Sequence, residues 1–90
     1  MRSRYSAYAL GLNQYLLNTW HPNSRPKTLK LDPFIRWVGL TVLDATSSGE
    51  SATVDFVAKF KKAGRLHSLA EHSRFVLEDG RWFYVDGDVP

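Results

Sequence analysis

Arg2–Trp20 reads RSRYSAYALGLNQYLLNTW, and the fold turns on how that stretch is read. At about 100° per residue, Tyr5, Tyr8, Leu12, Tyr15, Leu16 and Thr19 fall on one stripe. The pattern predicts one long amphipathic helix of about five turns, with three tyrosines on its inner side. Gly11 in its middle costs ~1 kcal/mol against alanine, and a close backbone approach there would explain it. Leu10 and Leu17 form a weaker second apolar side. Pro22 ends the helix near Trp20–His21, because a residue before proline is driven out of helical geometry.

Beyond this helix the sequence alternates as strands do. Residues 22–31, PNSRPKTLKL, form a basic connector. Asp32-Pro33 supplies an N-cap and a first-position proline, predicting a single helical turn over Pro33 to Arg36. A first strand over Trp37 to Ala45 leads to the polar loop TSSGES. Thr53 to Phe60 alternates with period two, a half-buried strand, and Lys61 to Arg65 turn the chain. Asp79-Gly80 between FVLE and RWFY marks a two-residue type I′ hairpin. Its register pairs Glu78 with Arg81, Leu77 with Trp82, Phe75 with Tyr84 and Ser73 with Asp86. One face then carries Phe75, Leu77, Trp82 and Tyr84 with Glu71, Ser73 and Asp86. The other carries Val76, Phe83, Arg74, Val85 and His72.

The expected architecture is α+β, a single domain over residues 1–90. Its long N-terminal helix packs in a curved four-stranded antiparallel sheet. Both sheet faces hold large apolar groups, and an uncovered one marks an interface, so a homodimer through a sheet face is expected.

Composition bounds the function. Hydrophobic residues at 43% and aromatics at 13% exclude a disordered chain. The absence of cysteine excludes a disulfide framework, a thiol nucleophile and a cysteine zinc site. No apolar run approaches the roughly 18 residues a membrane span needs, and a soluble cytoplasmic protein is expected. Net charge is +3, too little to argue for nucleic acid. Residues 1–31 hold Arg2, Arg4, Arg25, Lys27 and Lys30 and no acid, whereas residues 71–90 hold five acids against two arginines. That complementarity predicts the first helix lying near the last hairpin.

The sharpest constellation is Glu71, Ser73 and Asp86 beside Phe75, Tyr84 and Trp82. Glu71 and Asp86 would lie diagonally across the strands at roughly 7–8 Å. Two carboxylates against an aromatic wall can have their pKa values pushed apart, one serving as acid and one as base. A buried charge needs an answer, and Arg4, flanking the tyrosine stripe, is expected to pair with Glu71 and tie helix to sheet. Tyr8 or Tyr84 would donate hydrogen bonds. The candidate pocket is therefore Arg4, Tyr8, Glu71, Ser73, Tyr84 and Asp86, with no catalytic residue assigned. His21 is expected to cap the helix C-terminus, His67 to sit in a turn and His72 to lie on the other face. No set has metal-ligand spacing, no phosphate loop is present, and no cofactor is expected. Lys59, Lys61, Lys62 and Arg65 form a basic hairpin tip with no interleaved stacking aromatics beyond Phe60, which favours a solvated turn over nucleic-acid binding.

Five motifs then occur in order: Met1-Arg-Ser-Arg-Tyr-Ser-Ala-Tyr8, Thr19-Trp-His-Pro22, Trp37-x-Gly39-Leu40, Glu71-x-Ser73-Arg74-Phe75 and Gly80-Arg-Trp-Phe-Tyr-Val-Asp-Gly87. From residue 1 to about 87 the chain resembles the central domain of the YchJ-like family of bacterial proteins. The resemblance implies a nuclear transport factor 2-like, cystatin-like cone of a helix inside a curved sheet. His72 departs from it, standing where arginine is expected. Family members flank this domain with cysteine-rich zinc motifs of the SecA C-terminal type; without cysteine, zinc does not carry over. No activity comes with the family name. The favoured expectation is a non-enzymatic accessory module binding a small apolar ligand or a protein. The alternatives are an isomerase- or dehydratase-like enzyme using the pocket carboxylates, and weak nucleic-acid binding through the basic tip.

Overall fold

Gly11 divides the expected long helix into two short ones. In the computed structural model, which describes residues 2–29 and 31–89, α1 spans Arg2–Leu10 and α2 spans Asn13–Asn18. Lys30 of the basic connector lies outside the described residues, as does the side chain of Arg2. Gly11 adopts φ +71°, and no atom lies within 4 Å of where its Cβ would stand. Its role is therefore conformational rather than a close approach. The Leu12 N–H donates to the Ala7 carbonyl at 2.8 Å and the Gly11 N–H to the Tyr8 carbonyl at 3.4 Å. Those two bonds form a Schellman motif, which ends α1 through a left-handed residue. The break splits the predicted stripe. Leu16 is fully buried and Tyr5 and Tyr8 are half-buried, but Leu12 and Tyr15 are exposed.

Four strands follow as an antiparallel meander in chain order: β1 Arg36–Ser48, β2 Ser51–Lys62, β3 Arg65–Glu78 and β4 Arg81–Asp88. They run longer than alternation alone predicts, because polar residues at their ends continue the ladder. Two-residue turns join β2 to β3 and β3 to β4. Ala63 and Gly64 take φ of 53° and 74°, Asp79 and Gly80 of 51° and 75°, the double positive φ of a type I′ turn. The single helical turn expected over Pro33 to Arg36 is instead a side-chain-capped turn. The Phe34 N–H donates to Asp32 Oδ1 at 2.9 Å, and Arg36 already belongs to β1. His67, expected in a turn, lies in β3 with its ring stacked on Phe60 at 5.2 Å.

The last hairpin keeps three predicted pairs, Glu78 with Arg81, Leu77 with Trp82 and Phe75 with Tyr84. The register then slips. Arg74 faces Asp86 and Ser73 faces Gly87, leaving Val85 as the extra residue of a bulge. One displaced residue reverses every facing beyond it. Asp86 therefore leaves the helix-covered face and joins Arg74, whose Nε donates to Asp86 Oδ1 at 2.5 Å and whose Nη1 donates to Asp88 Oδ2 at 2.7 Å. Arg74 holds the Asp88 carboxyl below its usual pKa.

The helices lie on the face carrying Phe56, Ala58, Ser73 and Phe75, all buried, with Ala7, Leu16 and Arg4 buried opposite. Tyr5 and Tyr8 reach the Trp37 ring at 5.9 and 6.1 Å, and Trp20 meets Tyr84 edge-on at 5.0 Å. Past α2 the backbone docks along β4. The Tyr84 N–H donates to the Thr19 carbonyl at 2.8 Å, and the His21 N–H donates to the Tyr84 carbonyl at 2.7 Å. This short parallel bridge covers the β4 edge. The expected proximity of first segment and last hairpin is thus present, though built mostly from backbone. Among the described residues its side-chain link is His21 Nε2 with Glu78 Oε1 at 2.9 Å, and the hairpin acids Asp86 and Asp88 are answered by Arg74. His21 caps no helix: α2 ends at Asn18, and the imidazole Nδ1 accepts the Asn23 N–H at 3.1 Å.

Replacing Gly11 by alanine should cost about 1 kcal/mol, since alanine must enter the left-handed region in open space. Gly11→Asn, which tolerates that region, should cost less than half as much. Urea unfolding of the two variants checks the order; equal stabilities would contradict it.

Candidate functional site

Alternation along β3 aims Glu71, Ser73 and Phe75 at the helices. Ser73 is fully buried and Glu71 half-buried. What makes room for the Glu71 carboxylate is Gly87. A Cβ there would stand 2.6 Å from Glu71 Cδ, a distance no side chain accepts. The bulge at Val85 thus does two things at once, removing Asp86 from this face and bringing Gly87 opposite Ser73.

The carboxylate lies at the wall of a cavity of about 170 Å³ between α1 and the sheet. Arg4, Tyr5 and Tyr8 line it from the helix; Trp37, Glu71 and Tyr84 line it from the sheet. Glu71 Oε2 accepts the Ser73 hydroxyl and, at 3.4 Å, the Tyr84 hydroxyl. Among the described residues no protein donor reaches Oε1. Burial, and then the negative charge of Glu71, push the Tyr84 phenol well above its ordinary pKa. Tyr84 is therefore a fixed donor to Glu71, not a group that exchanges its proton near neutral pH.

Arg4 is only 4% exposed, yet it does not pair with Glu71 as expected. Its Nη1 donates to the Leu16 carbonyl at 3.0 Å and to Thr19 Oγ1 at 2.6 Å. Its guanidinium carbon stands 4.6 Å from the Tyr84 ring centre and 5.4 Å from that of Trp20. The helix break is the reason. Because α2 restarts after Gly11, its last carbonyls turn toward Arg4, and a cation at a helix C-terminus is favoured by the dipole and by charge-assisted hydrogen bonds. Burial lowers the Arg4 pKa while the neighbouring phenols Tyr8 and Tyr84 raise it; a guanidinium stays charged regardless. A second hollow, of about 320 Å³, reaches Ser3, Tyr15 and Trp82 and shares Arg4 and Tyr84 with the first. The Arg4–Tyr84 stack is the wall between them.

Of the six expected pocket residues, Arg4, Tyr8, Glu71, Ser73 and Tyr84 line one cavity, and Asp86 does not. Tyr5 and Trp37 complete the wall. Tyr5 sat on the predicted stripe and Trp37 in a quoted motif, but neither signal marks a pocket over a core. His72 lies on the opposite face as expected, with Nδ1 2.6 Å from Asp55 Oδ1. Among the described residues no three His, Asp or Glu side chains converge as metal ligands.

Gly87→Ala should push the flexible Glu71 carboxylate away from Ser73 at a cost of no more than about 1 kcal/mol, read by urea unfolding and by the Ser73 and Glu71 side-chain resonances. Unmoved Glu71 and Ser73 resonances would contradict the close approach. Tyr84 also fixes an alkaline response. The folded state holds its proton more tightly than the unfolded chain, so this contribution is complete below pH about 10 and falls as pH rises beyond it. Tyrosinate absorbance should therefore be the same in native Tyr84→Phe as in the parent near pH 11. A smaller amplitude in the variant would show Tyr84 titrating freely.

The family profile described as "YchJ, middle NTF2-like domain" matches residues 1–87. A UPF0225 protein of Chromobacterium violaceum is 50% identical over 99% of this chain and 70% of its own length. One from Polaromonas naphthalenivorans is 52% identical over 98% of this chain and 65% of its own length. The solution structure of a SEC-C motif containing protein from Rhodopseudomonas palustris superposes with a TM-score of 0.90 at 33% identity, covering all of this chain and 75% of that one. The fold, the ordered motifs and these matches agree: the chain belongs to the YchJ-like family, as its middle NTF2-like domain.

Proposed function

We propose that this domain is a non-enzymatic binding module whose helix-covered cavity takes up a small molecule. The observation that carries this is one half-buried carboxylate, an oxygen of which has no protein donor among the described residues, at the wall of a mostly aromatic and apolar cavity. Ligand sites combine such walls with a few convergent polar groups. At about 170 Å³ the space is of the size that admits a benzene-sized guest. The isomerase- or dehydratase-like alternative needs a second carboxylate as acid or base, and Asp86, its candidate, is bound to Arg74 on the far face. Tyr84, one of its two candidate donors beside Tyr8, is turned to Glu71 at 3.4 Å. The basic hairpin tip adds little to a nucleic-acid reading, since Lys62 is paired with Asp32 at 2.8 Å.

Ala58, 2% exposed on the cavity floor, provides the test. Benzene titrated into the labelled domain should shift the Trp37 indole and Ala58 methyl resonances saturably. Ala58→Leu, which fills the space, should abolish the shifts while the rest of the spectrum keeps its dispersion. Failure of benzene to shift either group would mean that the cavity is an unfilled part of the core and would defeat the reading.

A further inference from the structure

Resting on that reading, we infer that the cavity selects a small organic cation, an alkylammonium head held against aromatic faces with Glu71 as counter-ion. Five rings, those of Tyr5, Tyr8, Trp37, Phe56 and Tyr84, border the space. Tyr5 and Tyr8 are tilted 71° and 56° against Trp37 at 5.9 and 6.1 Å, so rings with different orientations meet around one volume. Ring faces carry partial negative charge and attract a desolvated cation; quaternary and methylated ammonium groups are recognised by such boxes. The wall also supplies a formal negative charge. Glu71 Oε2 is held by Ser73 and Tyr84, while Oε1 has no protein donor among the described residues. Gly87 leaves the carboxylate the room to stand there.

Among the described residues Arg4 is the one cation at this wall, and it decides between ligand signs. Its charge is already answered by the Leu16 carbonyl, the Thr19 hydroxyl and the faces of Tyr84 and Trp20. A carboxylate ligand would gain from Arg4 but would lie against Glu71 and the ring faces. An ammonium ligand meets Glu71 and the rings of Tyr5, Tyr8 and Trp37, whereas Arg4 stacks on Tyr84 and Trp20. The small volume restricts it to a head group of a few heavy atoms.

Three probes of nearly equal shape separate the cases: tetramethylammonium, tert-butanol and pivalate, each titrated while the Trp37 indole resonance is followed. The cation should bind at least about tenfold tighter than either isostere. Glu71→Gln should erase that preference, bringing the cation to within about threefold of tert-butanol. Tyr5→Leu should weaken the cation about threefold or more and Tyr5→Phe should restore it, because the π face rather than the hydroxyl does the work. Tyr5 is half-exposed, so neither of its variants depends on the domain surviving loss of a core residue. Equal or tighter binding of tert-butanol or pivalate overturns the cation inference alone. Benzene uptake with no tetramethylammonium binding does the same. Loss of benzene uptake in the parent domain overturns the binding reading beneath it.

Discussion

A single buried guanidinium holds the two layers of this domain in place. Arg4 leaves α1, ends α2 by bonding the Leu16 carbonyl and the Thr19 hydroxyl, and lies on the Tyr84 ring of β4. A charge this buried is destabilising unless its donors and its field are answered. Here a helix C-terminus and two aromatic faces answer it, so the sheet carboxylate is left over. Had Arg4 and Glu71 paired, the cavity would hold a closed ion pair and no unpartnered oxygen. The position of Gly11 therefore bears on the site: it ends α1, lets α2 turn back, and supplies the carbonyl that occupies Arg4.

A second constraint acts from the sheet side. The bulge at Val85 sets which residues of β4 face inward. Without it the face would carry Ser73 opposite Asp86, and two carboxylates would share one small apolar space. With it, Gly87 stands opposite Ser73 and Glu71 is the sole acid from these two strands on that wall. One extra residue thus changes the chemistry from a paired-carboxylate site to a single-anion site. Arg74, with Asp86, Asp88 and the nearby His72–Asp55 pair, then makes the opposite face strongly polar around its centre.

The sequence showed the sheet, its four strands and the Asp79-Gly80 turn because period-two alternation and I′ turn chemistry are local signals. Five of the six expected residues come to one cavity for the same reason: strand alternation places Glu71, Ser73 and Tyr84 together, and helical spacing places Arg4 and Tyr8 above them. The misses that bear on the site share one origin. Gly11 and Val85 each alter the phase of a repeating element by a residue or two, and phase errors propagate to everything beyond them. A glycine within a helical pattern reads equally as a tolerated cost or a C-terminal stop, and only the hydrogen bonds of Ala7 and Tyr8 to residues past the end distinguish the two. Gly87 within RWFYVDGD hints at a bulge but does not fix which residue is the extra one. Arg4's choice of partner followed from the first of these errors.

The measurement that bears most directly on this account is the coupling between Arg4 and Thr19, obtained from urea unfolding of Arg4→Met, Thr19→Val and the double variant. A buried charge-assisted hydrogen bond predicts a coupling of about 1–2 kcal/mol, with the Arg4→Met, Glu71→Gln cycle coupled less strongly. Additive effects of Arg4 and Thr19 within about 0.5 kcal/mol, with strong coupling of Arg4 to Glu71, would contradict it.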